Sequence, residues 1–105
     1  MLSIHDVMLE AITTMRPLVA AIERHDRDLA CQLRRAASSV VLNLAEGSGS
    51  FGGVRTQRYR TALGSAREAW SCLQVAQAAG YAGCMPPSLP AQFHRVIGTL
   101  VRVAR

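Results

Sequence analysis

Apolar residues recur at spacings of three and four along most of the chain, which is the rhythm of one face of a helix. The first apolar stripe consists of Ile4, Met8, Ala11, Met15, Leu18 and Ile22. Ser3, followed three residues later by Asp6, is typical of a helix start, because a hydroxyl and a carboxylate can satisfy free backbone amides. The pattern therefore predicts a first helix over residues 3–24. We expect it to bend at Pro17, because proline removes one backbone hydrogen bond.

Three further apolar stripes predict three further helices, over residues 28–46, 54–79 and 89–104. The polar segment His25–Asp28 supplies the start of the second helix, and Gly47 is suited to a left-handed cap at its end. Gly80 is expected to end the third helix. Four amphipathic helices without a strand predict an all-α, antiparallel up-and-down four-helix bundle that forms a single domain over residues 1–105.

Residues 47–53 read Gly-Ser-Gly-Ser-Phe-Gly-Gly, and the first six fit the dinucleotide-binding pattern G-x-G-x-x-G. That pattern requires a strand before it, a helix after it and an acidic residue about twenty positions onward. Here a helix comes before the glycines, and Glu68 lies inside the third predicted helix rather than at a strand end. We therefore interpret the run as a reversing loop between two helices, not as a nucleotide site.

The charge of the chain is distributed unevenly. All twelve cationic side chains are arginine, and the formal net charge is +5. Residues 1–46 hold five arginines against six acidic residues, whereas residues 47–105 hold seven arginines against Glu68 alone. A basic half can attract nucleic acid by counterion release, or it can simply be a solvated surface. The arginines that we expect to be exposed and available to nucleic acid are Arg55, Arg58, Arg95, Arg102 and Arg105.

The sequence around the glycine run resembles a known family. Gln32-Leu33-Arg34-Arg35-Ala36 leads to Asn43-Leu44-Ala45-Glu46-Gly47, and Ala62-Leu63-Gly64-Ser65 and Gly80-Tyr81 come after it. Over roughly residues 28–81, this combination resembles the four-helix-bundle family of proteins encoded in intervening sequences of bacterial 23S ribosomal RNA genes. That family is in turn similar to the accessory variability proteins of diversity-generating retroelements.

The resemblance implies a cytoplasmic four-helix bundle that assembles into a homopentameric ring and has no enzyme activity. Members of the family are suspected of binding RNA, DNA or a reverse transcriptase, so these are the partners that the resemblance implies. The loop departs from the family pattern, because Ser50 stands where a basic residue is usual and Gly52-Gly53 replace polar or charged residues. These departures weaken the expectation that the loop itself contacts RNA.

Asn43 and Glu46 are three residues apart and share one side of the second predicted helix. A partly buried glutamate must be paired to avoid a large desolvation cost. Arg60 and Arg67 lie seven residues apart on one flank of the third helix, so both are candidate partners in a structural polar cluster. Our hypothesis is that Glu46 pairs with Arg60 and fixes the loop. The alternative is a carboxylate recruited for chemistry, although plain ion pairs also perturb carboxylates.

The third helix carries a long uncharged region, because no Asp, Glu, Lys or Arg occurs from Ala69 through His94. A helix face of small, uncharged residues permits close approach of another helix, and depletion of charge is typical of an interface core. We therefore expect a homo-oligomer, the alternative being a monomer with an alanine-rich surface. The predicted interface residues are Thr61, Ser65, Cys72, Val75, Ala76 and Ala79.

No residue pattern indicates a metal, a cofactor or a catalytic residue. The three cysteines lack C-x-x-C spacing, and no two of the three histidines lie four residues apart. We expect reduced thiols in the cytoplasm, no secretory signal, and no membrane contact. The sequence thus predicts a non-enzymatic, oligomeric bundle that binds RNA or DNA through a basic surface without strong sequence preference. The alternative is a protein-interaction scaffold with no nucleic-acid role.

Overall fold

The computed structural model describes residues 2–105 and contains four α-helices. They are α1 (Ile4–Glu23), α2 (Arg27–Ser48), α3 (Gly52–Ala78) and α4 (Ser88–Val103). No strand occurs among the described residues, so the predicted all-α class with four helices is confirmed. Each helix packs against the next and α4 returns to α1, with the most extensive packing between α2 and α3. The chain thus goes up and down around one core.

The core is built from alanine and branched aliphatic side chains, with one buried aromatic ring. The largest fully buried side chains are Phe93, Met8, Ile22, Leu33, Leu73, Leu89, Leu100, Val40 and Val96. Trp70 packs on Phe93 with their ring centroids 5.4 Å apart and remains only partly buried. The molecule is 42 Å long, close to the length of the 27-residue α3 at about 1.5 Å per residue. α3 therefore spans the whole molecule.

Local capping bonds begin α1 and α2 where the sequence predicts them. The Ser3 hydroxyl accepts a hydrogen bond from the Asp6 amide at 3.2 Å, and the Asp26 carboxylate accepts one from the Leu29 amide at 2.9 Å. Each bond satisfies an amide that the first turn of the helix leaves unpaired. α1 continues through Pro17 as a single helix.

Gly80 ends α3 as predicted, in a left-handed conformation with φ of +74°. The Tyr81 amide donates to the Ala76 carbonyl at 2.9 Å, and the Gly80 amide donates to the Gln77 carbonyl at 3.1 Å. These two bonds are the paired closure of a glycine-terminated helix, in which residues after the helix satisfy its last carbonyls.

The prediction that Gly47 caps α2 is wrong. α2 continues to Ser48, and Gly47 is a buried residue within the helix. A Cβ atom at Gly47 would lie 2.4 Å from Cε1 of Tyr59, so the glycine makes room for the tyrosine ring rather than for a left-handed turn. The reason for this glycine is a side chain on another helix, which local sequence does not reveal.

The prediction for the outer side of α3 is also wrong in part. Cys72 and Ala76, predicted to line an oligomer interface, are 4% and 0% exposed and belong to the core of the chain itself. The buried positions of α3 are Ala62, Ala66, Ala69, Cys72, Leu73 and Ala76. Because alanine side chains let helices approach closely, α3 turns its small residues inward. The larger Tyr59 and Trp70 pack only at the margin of the core.

Candidate nucleic-acid interface

The glycine run lies at one end of the bundle, where all four helices meet. A surface depression of about 610 Å³ there is lined by residues of every helix, among them Ile4, Ser48, Tyr59 and Val103. We call residues 2–5, 46–58 and 102–105 the glycine-rich end. None of residues 52–58, about two turns of α3, is buried. Arg60 of α3 already contacts the last residues of α4, so the preceding turns of α3 project past α4.

Phe51 and Arg55 form the outermost contact of this end. The Phe51 side chain is 83% exposed, and the guanidinium carbon of Arg55 lies 5.8 Å from the centroid of its ring. The Arg55 Nε donates to the Gly47 carbonyl at 3.2 Å, which fixes the guanidinium between the end of α2 and the ring. Phe51 occupies the cap position of α3 but makes no side-chain capping bond. The first amides of α3 therefore have no side-chain acceptor from their cap.

The predicted pairing of Glu46 with Arg60 is wrong. Glu46 instead pairs with Arg58, and the Glu46 Oε2 and Arg58 Nη1 atoms are 3.0 Å apart. Both side chains are about half exposed. The Arg60 Nε donates to the Ala104 carbonyl at 3.1 Å. Two residues along a helix correspond to a rotation of about 200°, so Arg58 faces α2 whereas Arg60 faces α4. Arg67 lies on the same side as Arg60 and is exposed, so the predicted polar cluster does not form.

Asn43 bonds within α2 to Ser39, and the Ser39 hydroxyl makes the contact with α3. The Asn43 Nδ2 donates to the Ser39 carbonyl at 2.9 Å and to the Ser39 hydroxyl at 3.1 Å, and that hydroxyl lies 2.8 Å from the Ser65 hydroxyl. Ser65, predicted to face another copy, is therefore half-buried within a polar seam of its own chain. The sequence signal for this seam is the four-residue spacing of Ser39 and Asn43, which the helical pattern alone does not single out.

A shallow groove of about 460 Å³ runs beside this seam, along the outer side of α2. Its charged lining consists of Arg34, Arg35, Arg58 and the single carboxylate Glu46, and its neutral lining includes Ser38, Ser39, Leu42 and Asn43. Sequence reasoning missed Arg34 and Arg35 as candidates, because both lie in the half of the chain with no net positive charge. The fold brings them onto the same groove as Arg58.

The remaining arginines predicted to bind nucleic acid lie on α4 or just after it. Arg95 donates to the Leu2 carbonyl at 2.6 Å, and Arg102 donates to the Thr99 hydroxyl at 3.4 Å. Arg105 is exposed at the glycine-rich end. The structure therefore brings Arg55 and Arg58 onto adjacent turns, places Arg102 and Arg105 at the same end, and holds the Arg95 side chain against Leu2 of that end.

Several large apolar side chains are exposed on the described residues: Leu2, Leu9, Leu42, Phe51, Val54, Val75, Val101 and Val103. Of the predicted interface residues on α3, Thr61, Val75 and Ala79 are exposed, and Val75 is 52% exposed. These three residues can meet another molecule without unfolding the bundle.

Cys72 is a buried cysteine in the part of the chain that the structure describes. Burial, and to a smaller extent the Glu68 carboxylate, raises the pKa of the Cys72 thiol, which therefore stays protonated at neutral pH and is a poor nucleophile. Residues 2–105 contain no group of three His, Cys, Asp or Glu side chains that could hold a metal ion. Over the same residues, no helix combines the length and the apolar character needed to cross a bilayer.

Comparison with known families adds one finding. The model of the family described as 23S rRNA-intervening sequence protein matches residues 8–84, which include most of α1 and all of α2 and α3. No curated protein and no solved structure gives a match.

Proposed function

Because the chain belongs to the 23S rRNA-intervening sequence protein family, we propose that it is a nucleic-acid-binding protein and not an enzyme. The ligand is RNA or DNA, held through its phosphates by arginines of the glycine-rich end and without strong sequence preference. Phosphate contacts supply affinity that depends on salt but carry little sequence information.

The observation that carries this proposal is the position of Arg55 and Arg58. They lie three residues apart on turns of α3 that project beyond the bundle, and the exposed Arg102 and Arg105 lie at the same end. Arginine presents a planar set of donors that matches the oxygens of a phosphate. Repeated arginines on a projecting edge can follow a backbone of regularly spaced phosphates, whereas arginines spread evenly over the molecule cannot.

We further propose that copies of the chain associate in the cytoplasm, as a ring in line with the family resemblance. An open groove of about 840 Å³ between α1 and α2 supports this, because Ile12, Ala20 and other mainly apolar residues line it. The exposed Leu9 and Val75 add apolar surface that association would remove from water. Each added copy repeats the basic end, and multivalency raises affinity without new contacts.

A second candidate function, a protein-interaction scaffold, is favoured by apolar exposure near the same end. Leu42 is 62% exposed and Val54 is 60% exposed, and neither contributes charge to a nucleic-acid interface. A protein partner, such as a reverse transcriptase, would cover these side chains. Binding by such a partner would depend much less on salt than binding by a polyanion does.

The test is the binding of a fluorescently labelled, mixed-sequence RNA of about 16 nucleotides, a length that covers typical single-strand sites, over a series of salt concentrations. Changing Arg55 and Arg58 together to Ser should weaken binding and reduce the slope of log affinity against log salt by about 1.5. The matched control changes Arg24 and Arg67 to Ser, which removes the same charge at two exposed positions outside the proposed grooves and should leave most of the affinity. If the wild-type chain shows no salt-dependent binding, the scaffold function is the better one.

A further inference from the structure

We propose that the nucleic acid bound at the glycine-rich end is single-stranded, with an unpaired base stacked on Phe51 and its backbone in the groove along α2. This inference rests on the proposed function and names the class of ligand for the same end of the bundle. Its two parts are the exposed ring at the tip of the α2–α3 hairpin and the charged lining of the groove that leads away from it.

The Phe51 ring lies outside the core, and the side chains packed against the core do not include it. At 83% exposure it is the most exposed large apolar side chain of the described residues, and it makes no capping bond although it occupies the cap position of α3. Exposing an aromatic ring to water is unfavourable, so its position at the tip calls for a ligand. The Arg55 guanidinium lies over the ring, and the remaining exposure leaves a face open for a planar group.

An unpaired nucleobase fits this open face. Bases stack on aromatic side chains in a way that tolerates any sequence, because every base has a π face. In a duplex those faces are covered by neighbouring base pairs, so a ring at a projecting tip can reach them only at a duplex end. The Arg55 guanidinium, fixed by its bond to the Gly47 carbonyl, is then placed to meet the adjacent phosphate.

The groove along α2 begins about one turn of α3 beyond Arg55 at this tip. Arg58 is three residues after Arg55, and it lines the groove at one end. Arg34 and Arg35 line the other end, about 17 Å away along the helix, since eleven or twelve residues of α2 separate them from Glu46. The hydroxyls of Ser38 and Ser39 lie between the two ends. Arg34 pairs with Glu23 and Arg58 pairs with Glu46, so Arg35 is the groove arginine that no carboxylate of the described residues pairs, and a phosphate would compete with a carboxylate for the other two. The serine hydroxyls can bond to sugars or bases.

Two details of the groove agree with a single-stranded occupant. Leu42 is 62% exposed on the groove, where a base or sugar turned away from water would cover it. Glu46 is the only carboxylate of the groove lining, and it neutralises Arg58 at 3.0 Å. A phosphate must displace this carboxylate to reach Arg58. Glu46→Gln should therefore strengthen binding, whereas it would weaken binding if the carboxylate contributed a favourable contact to the ligand.

The experiment compares an unstructured RNA strand of about 16 nucleotides with the duplex of the same sequence, both fluorescently labelled, at one salt concentration. The wild-type chain should bind the strand more tightly than the duplex. Phe51→Leu keeps an apolar side chain but removes the π face, and it should weaken binding of the strand about tenfold while leaving duplex binding unchanged. Phe51→Trp should restore strand binding, with quenching of the new tryptophan's fluorescence.

The groove is tested separately by Arg35→Ser, which should weaken strand binding severalfold. Arg67→Ser is its matched control, because it also removes one exposed arginine, in this case from the side of α3 that carries Arg60. Phe51, Arg35 and Arg67 are all exposed, so each variant should retain the thermal unfolding transition of the wild type.

The outcomes distinguish this inference from the proposed function. The stacking site would be overturned if the wild type and Phe51→Leu bound the strand with equal affinity, or if the wild type bound the duplex at least as tightly as the strand. Nucleic-acid binding itself would still stand in either case. Equal effects of Arg35→Ser and Arg67→Ser would overturn the groove. Failure of every variant and of the wild type to bind either RNA would remove both proposals together.

Discussion

At the glycine-rich end the most exposed aromatic ring of the described residues lies in solvent, whereas at the opposite end two aromatic rings stack on each other. That opposite end, which we call the hinge end, comprises residues 23–28 and 79–88. There the rings of His25 and Tyr81 stack with centroids 5.2 Å apart, and the Asp26 carboxylate caps α2. At the glycine-rich end, Phe51 stands in a cap position without capping, and its ring lies in solvent.

This contrast suggests that the residues that stabilise the bundle and the residues that bind a ligand lie at different ends. A cap, a glycine closure and a ring stack each stabilise the hinge end, and none of them offers a free group to a ligand. The glycine-rich end gives up a side-chain cap on its longest helix and exposes an aromatic ring beside arginines. Groups that do not stabilise the fold are the better candidates for binding, and the two ends can be compared by substitution at fixed protein concentration.

The largest expected effect concerns Gly47, the one tightly packed glycine of the glycine-rich end. Gly47→Ala places a Cβ 2.4 Å from Cε1 of Tyr59, so the half-buried ring must move. We expect the free energy of unfolding in urea to fall by about 2 kcal/mol. Gly49→Ala is the matched control, because its nearest contact would be an ordinary 3.8 Å. Similar losses for the two variants would contradict the role given to Tyr59.

The next effect compares glycines at the two ends. Gly80 at the hinge end has φ of +74°, and no atom would lie within 4 Å of a new Cβ, so Gly80→Ala tests conformation alone. We expect it to lower the free energy of unfolding by about 1–2 kcal/mol. Gly53 at the glycine-rich end also has open space and lacks a positive φ. Gly53→Ala should raise the free energy of unfolding by about 0.5 kcal/mol, and a loss there would contradict the comparison.

A smaller effect compares the two cap positions. Asp26→Ala removes the acceptor of the Leu29 amide and should lower the free energy of unfolding by about 1 kcal/mol. Phe51→Ala at the corresponding position of α3 removes no capping bond and should leave stability within about 0.5 kcal/mol of the wild type. Urea denaturation followed by circular dichroism measures both. A marked loss for Phe51→Ala would mean that the ring stabilises the fold, which would weaken its assignment to a ligand.

The smallest effect is the pH dependence of one exposed ion pair at the hinge end. The Arg34 side chain donates a hydrogen bond to Glu23 and adds its charge, and both lower the pKa of the Glu23 carboxyl. The pair therefore stabilises the fold above the ordinary pKa of glutamate, and that stability is lost as the pH falls below about 4. Glu23→Gln should flatten this part of the curve of stability against pH only slightly, because the pair is exposed. A large difference between the wild type and Glu23→Gln in the slope of the free energy of unfolding against pH would contradict the solvent exposure of the pair.

Local residue patterns are enough to predict the four helices, the Ser3 and Asp26 caps and the closure at Gly80. These features depend on groups within a few residues of each other, so spacing and residue type contain the necessary information. The candidate site can be predicted only in part. Charge identifies Arg55 and Arg58, but the residue pattern places Phe51 only in a loop. Its exposure beside Arg55 depends on where α3 begins.

Apart from the cap predicted at Gly47, the failed predictions concern which side of a helix faces a neighbour. Tyr59, Ala62, Leu63, Ala66, Trp70 and Leu73 form an apolar stripe at helical spacing, and Cys72 and Ala76 lie off it, so the sequence pattern places both outside. In the structure, the buried face of α3 consists of Ala62, Ala66, Ala69, Cys72, Leu73 and Ala76, and Tyr59 and Trp70 lie at the margin of the core. Arg58 contacts Glu46 of α2, whereas Arg60 contacts the residue that follows α4.

The sequence by itself determined the number of helices, the caps of α1 and α2, the end of α3 at Gly80 and the excess of arginine in the second half of the chain. The tertiary structure alone decided that Gly47 accommodates the Tyr59 ring, that Glu46 pairs with Arg58, and that Arg34 and Arg35 share a groove with Arg58. The physical reason is the distance along the chain over which each feature is determined. Helix formation and capping are settled within one or two turns, whereas the rotation of one helix against another depends on the shapes of many side chains at once.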